Sequence, residues 1–115
     1  MFKITANPTF KADVRLTVPG QKETAVVEVE FRHKGRAELK AWLESTNGKT
    51  DAAALFEIIV DMPLSDEHGS EMAYSRERLE QLLNSYPSSA QEITVGYVLA
   101  LTESRAKNSG GSLVA

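Results

Sequence analysis

The chain reads as a single α+β domain, an N-terminal antiparallel β-hairpin followed by about four α-helices. Three features carry that reading. Apolar and polar residues alternate with period two before Lys34, the spacing switches to three and four residues after Gly35, and the length of 115 residues suits one hydrophobic core. At 42% hydrophobic and 25% charged the composition is that of an ordinary soluble globular domain.

In the first expected strand Val14, Leu16 and Val18 alternate with Asp13, Arg15 and Thr17. In the second, Val27, Val29 and Phe31 alternate with Glu28, Glu30 and Arg32. Between them Pro19 fixes a negative φ and Gly20 tolerates a positive one, as a type II turn requires, and Gln21-Lys22-Glu23 completes the loop. Residues 11 to 33 are therefore expected as a hairpin. Two strands alone are marginal, so the face carrying Val14, Leu16, Val27, Val29 and Phe31 must lie on another element. Residues 2 to 6 leave room for a third strand.

After Gly35, Leu39, Trp42 and Leu43 share one stripe, which predicts an amphipathic helix ending near Asn47-Gly48. A second helix is expected from an N-cap at Asp51, carrying Leu55, Phe56, Ile58, Ile59 and Val60 and closing on Asp61. Its apolar surface extends over more than one side, which suits a central position. A carboxylate at a helix C-terminus is unfavourable with the macrodipole, so Asp61 is expected to be exposed or to have a donor partner. Residues 63 to 74 read as a polar connection containing Pro63 and Gly69. Ser75 caps a third helix, whose Leu79, Leu82, Leu83 and Tyr86 hold the helical period until Pro87 stops it. Ser88 with Gln91, and Ser89 with Glu92, each match a capping box for a fourth. That helix uses Ile93, Tyr97, Ala100 and Leu101 and is expected to run out around Asn108. The domain is thus placed at residues 1–108, and residues 109–115, with Gly110-Gly111-Ser112, have the composition of a mobile C-terminal tail.

Thirteen Lys and Arg against sixteen Asp and Glu give a net charge of −3, which argues against a dedicated nucleic-acid binder. A nucleic-acid reading would need a basic face on the hairpin, from Lys3, Lys11, Arg15, Lys22, Arg32 and Lys34. The acidity is concentrated in one stretch: between Lys49 and Arg76 there is no Lys or Arg, while Asp51, Glu57, Asp61, Asp66, Glu67 and Glu71 all fall there. Such a run is either a solvated face or a patch that steers a basic partner.

The absence of Cys removes thiol catalysis, disulfides and thiolate metal sites, and fits a reducing compartment. The longest apolar stretch, Val95 to Leu101, is too short to span a bilayer, and no membrane association is expected. Of the two His, His33 reads as a surface residue at a strand exit. His68 lies beside Asp66, Glu67 and Glu71, but neighbouring loop residues rarely converge on one ion, and Ser65, Asp66 and His68 diverge too far for a triad. The glycines lack the spacing of a phosphate-cradling loop. No enzyme, cofactor or metal is expected. Trp42, Phe56, Tyr74, Tyr86 and Tyr97 are spaced as core or core-edge aromatics, most of them expected in the core, which leaves one or two to anchor a partner.

Taken together, Asn7-Pro8-Thr9-Phe10, Pro19-Gly20 and Phe31-Arg32-His33-Lys34 resemble a family of phage tail assembly chaperones. The likeness continues through Ile59-Val60-Asp61, a polar loop with Gly69, Tyr74-Ser75, Leu82-Leu83, Tyr86-Pro87, Tyr97 and Lys107-Asn108, in the family's order. One departure is Met62, where the family commonly has an aromatic, often Trp. The resemblance implies a non-enzymatic helper of a phage or prophage, acting in the cytoplasm of the bacterial host and absent from the mature virion. It implies two partners: the tape measure protein, a long and largely helical chain, and the major tail tube protein recruited around it. Self-association is compatible with this. Covering an apolar helix reversibly calls for contact surface rather than a catalytic pocket. The expected recognition region is the second helix and the connection after it, with Asp61, Met62, Met72 and Tyr74 as partner-binding residues. Lys107-Asn108 is compatible with a slippery codon pair that would generate a longer form by frameshifting. The alternative is a structural tail or tail-completion protein retained in the virion.

Overall fold

The computed structural model describes residues 1–103. Strands β1 (Thr9–Leu16) and β2 (Ala25–Arg32) form the expected hairpin, with Phe10 opposite Phe31, Ala12 opposite Val29 and Val14 opposite Val27. The Gln21 amide donates to the Val18 carbonyl at 3.0 Å and Gly20 takes φ +85°, so a tight turn with its one positive φ at glycine links the strands. Val14, Leu16, Val29 and Phe31 are buried; Val27 is only half-buried.

Helix α1 (Arg36–Ser45) begins where Glu38 Oε1 accepts the Gly35 amide at 3.1 Å and tightens into a 3₁₀ turn at Thr46–Gly48. Its stripe is only partly used: Trp42 is buried, Leu39 is half-buried and Leu43 is exposed. The Trp42 indole donates to the Ala54 carbonyl at 3.1 Å.

The second helix differs from the expectation. Helix α2 is only Asp51–Phe56, and Thr50 rather than Asp51 is its cap, Thr50 Oγ1 accepting the Ala53 amide at 3.2 Å. The chain then turns, and Ile59–Asp61 form strand β3. A short apolar run fits a buried helix and a buried strand equally well by period, and here β-branched Ile58, Ile59 and Val60 pack better on a sheet than on a helix. Strand β3 pairs antiparallel with β2, Phe31 opposite Ile59 and Glu30 opposite Asp61, with a bulge between. The sheet therefore has three strands, ordered β1-β2-β3, and its third strand comes from this segment rather than from residues 2 to 6. Asp61 consequently ends a strand, not a helix.

The connection from 63 to 74 is also more ordered than a polar loop. Leu64–Ser65 (β4) and Glu71–Met72 (β5) pair as a small hairpin, closed by the Asp66 amide on the Ser70 carbonyl at 2.9 Å and by Gly69 at φ +82°. Helix α3 (Arg76–Ser85) starts at the Ser75 cap, whose hydroxyl accepts the Arg78 amide at 3.2 Å. Helix α4 (Ser89–Thr102) follows. It ends at Thr102, short of the expected Asn108, because Glu103 takes an extended backbone and caps it; the boundary at 108, the tail 109–115 and Lys107-Asn108 lie outside the described residues.

Tyr97 of α4 is the hub of the core. It is fully buried, its hydroxyl donates to the Arg32 carbonyl at 2.7 Å, and the rings of Phe31 and Trp42 lie 4.9 and 5.6 Å away. Helix α4 packs against β1, and a Cβ on Gly96 would stand 3.2 Å from Val14 Cγ2, so glycine sets how closely helix and strand approach. Glu92 ties the same two elements: both carboxylate oxygens accept from Thr17, and Ser88 Oγ donates to Oε1 at 3.2 Å. Among the described residues no helix is long and apolar enough to cross a membrane.

Candidate partner-binding surface

The four residues expected to bind a partner take different places. Met62 is only 3% exposed and belongs to the core, so any part it plays in a contact is as support from beneath. Asp61, exposed at the end of β3, turns its carboxylate back to accept the Met62 amide at 3.0 Å. Tyr74 is half-buried against the core, and Met72 is half-buried on β5.

Tyr74 has company that the sequence reading did not assign to it. Its ring stacks on Phe56 at 5.9 Å and 27°, and the Arg76 guanidinium lies 5.9 Å from the Phe56 centroid. Phe56 is 38% exposed because α2 ends there instead of continuing into the core. Arg76 left a trace in the sequence: a cation in the first turn of a helix opposes the macrodipole, so its place must be set by another partner. The Tyr74 hydroxyl is buried without a hydrogen-bond partner among the described residues. Burial pushes its phenol up to about 12, while Arg32 pulls it down and Asp61 pushes it up.

Met72 lines a groove of about 550 Å³ between the β4–β5 hairpin and α3, together with Leu64, Leu82 and Tyr86. Asp66 and Glu67 stand on its rim, and the one lining cation, Arg78, donates to the Ala73 carbonyl at 2.6 Å. The groove lies between the small hairpin and α3, and neither element reveals the other in sequence. The acidic run is partly used within the fold. Glu57 pairs with Lys49, and Asp66 Oδ1 accepts the amides of His68 at 2.8 Å and Ser70 at 2.9 Å, which shapes the turn. Asp61, Glu67 and Glu71 face solvent.

His68 Nε2 lies 3.9 Å from Glu67 Oε2, with both side chains well exposed, and among the described residues no group of three or more potential ligands is gathered to hold a metal ion. On the hairpin's outer face the basic residues alternate with acids, Lys11 standing opposite Glu30, so that face carries both signs. The groove beside Met72 combines apolar lining with two carboxylates, and the Phe56–Tyr74 stack is a separate, partly exposed apolar feature.

No curated protein and no solved structure gives a significant match to the chain. The family model described as phage tail assembly chaperone matches residues 1–108, nearly the whole sequence and every element described above. The chain belongs to the phage tail assembly chaperone family.

Proposed function

We propose that the chain is a non-catalytic chaperone that binds the tape measure protein of a long-tailed phage or prophage, recruits tail tube subunits around it in the host cytoplasm, and leaves before the tail is complete. The observation that carries this reading beyond family membership is the acidic groove between the β4–β5 hairpin and α3. Its apolar lining can shield a helix that would otherwise aggregate, and its carboxylates favour a helix with basic flanks. Asp61 and Tyr74 shape the surface, Met72 offers an adaptable contact, and Met62 holds β3 in place below.

Co-expression with the tape measure protein encoded beside it tests the reading. The wild-type chain keeps that protein soluble, and Phe56→Ser combined with Met72→Ser loses this effect while the variant itself stays folded. Unchanged solubilisation by the folded double variant would overturn the assignment. Mass spectrometry of purified particles separates this role from that of a retained tail component: the chaperone is absent, a structural protein present.

A further inference from the structure

A second groove, of about 510 Å³, runs between α1 and the C-terminal end of α4. Its apolar lining is Leu39, Leu43 and Leu101. Leu39 and Leu101 pack against the core on their inner sides, whereas Leu43 remains 39% exposed although it continues the stripe of α1. At about 100° per residue, Leu39 and Leu43 stand about 40° apart around the helix axis. Arg36 lies about 20° and Lys40 about 60° beyond Leu43, so a cationic flank borders the leucines on the side away from Trp42.

The charge of this groove is opposite to that of the molecule. Lys34, Arg36 and Lys40 line it against the single carboxylate of Glu44, in a chain of net charge −3. Among the described residues the only ion pairs join Lys49 to Glu57 and His68 to Glu67, so none of the three cations is neutralised by a neighbour. Uncompensated cations beside an uncovered leucine stripe attract a ligand with the complementary pattern, apolar in the middle and negative at the edge. A nucleic-acid backbone would leave the leucines uncovered. A membrane needs a protruding apolar face, and this one is concave.

We propose that the groove between α1 and the end of α4 docks an amphipathic helix of a partner polypeptide, one whose apolar stripe is flanked by Asp or Glu. The proposal rests on the reading of this chain as a cover for other polypeptides and adds a second contact of opposite charge to the acidic groove. Two unlike surfaces allow one chaperone to hold two different segments at once.

Titration of the full chain with a synthetic Leu-striped helix tests it. A peptide of roughly 20 residues is long enough to hold helix in water, and one version carries Glu on the flanks, the other Lys. The Glu version is expected to bind at least about tenfold tighter, with affinity falling as salt rises. Lys34→Glu, Arg36→Glu and Lys40→Glu together are expected to reverse that preference, and since Arg36 and Lys40 are exposed and Lys34 only half-buried, the circular dichroism should not change. Equal binding of both peptides, an unaltered preference in the triple variant, or preferential capture of duplex DNA or phosphatidylserine vesicles would overturn the proposal. The tape measure assay distinguishes the two readings. Loss of Glu-peptide binding in the triple variant with solubilisation intact upholds both, whereas failure of Phe56→Ser with Met72→Ser to impair solubilisation overturns the proposed function alone.

Discussion

Two grooves of similar volume, about 550 and 510 Å³, carry opposite charge on one small domain. The first lies between a two-residue-per-strand hairpin and α3, with Asp66 and Glu67 on its rim; the second lies between α1 and α4, with Lys34, Arg36 and Lys40. Both rest on the same core, since Leu64 and Leu82 pack on it from one groove and Leu39 and Leu101 from the other. The difference is in what surrounds the leucines. A chain with an average apolar content can build two distinct contact surfaces by sorting its charges rather than by adding hydrophobic area, and the sorting follows the sequence, basic up to Lys40 and acidic from Asp51 to Glu71.

The largest expected effect breaks both grooves together. Tyr97→Ala removes the ring that joins Phe31 and Trp42 and the hydrogen bond to Arg32, and should cost about 3–5 kcal/mol in urea denaturation. Both binding activities should fall in proportion to the unfolded fraction. By contrast, Leu43→Ser and Met72→Ser act at exposed or half-buried rims and should each change stability by less than about 1 kcal/mol. Each should weaken one groove alone, Leu43→Ser the binding of the Glu-flanked helix and Met72→Ser the solubilisation of the tape measure protein. A smaller change separates stability from binding on the acidic side: Tyr74→Phe removes a buried hydroxyl with no hydrogen-bond partner among the described residues, so thermal denaturation should show stability unchanged or raised by up to about 1 kcal/mol.

The smallest effect is a pH dependence at the joint of β1 and α4. Burial alone would raise the Glu92 carboxyl, but the hydrogen bonds from Thr17 and Ser88 outweigh it and hold it below the ordinary value. A carboxyl depressed in the folded state adds stability above the unfolded carboxylate range and loses that addition as pH falls through the folded value. Glu92→Gln should therefore be less stable than the wild type at neutral pH, with the gap closing below about pH 4. A constant gap across that range would show that the charge of Glu92 contributes nothing.

Much of this arrangement could be read from sequence. The hairpin follows from strict alternation on both sides of Pro19-Gly20, and α3 follows from the Ser75 cap and the spacing of Leu79, Leu82 and Leu83, because those signals are local. Ile58-Ile59-Val60 gave no local answer: a continuous apolar run fits a helix extending α2 as well as a strand, and only the vacant edge of β2 decides between them. The small β4–β5 hairpin is too short to show a period at all. The aromatic spacing treats Phe56 and Tyr74 alike as core or core-edge residues, whereas Tyr74 is half-buried and Phe56, the last residue of α2, is exposed. Leu43 reads as a core residue from its stripe, yet no element among the described residues covers it, and that gap between helical pattern and burial is what exposes the second groove.

Hydrogen exchange on the chain alone and in complex with the tape measure protein tests the central claim most directly. Tape measure binding should slow exchange in the segment from Leu64 to Tyr74 and along the face of α3 carrying Leu82, while the hairpin turn at Pro19-Gly20 exchanges as before. Protection confined to that turn and the outer face of β1, with Leu64 to Tyr74 unaffected, would contradict the account.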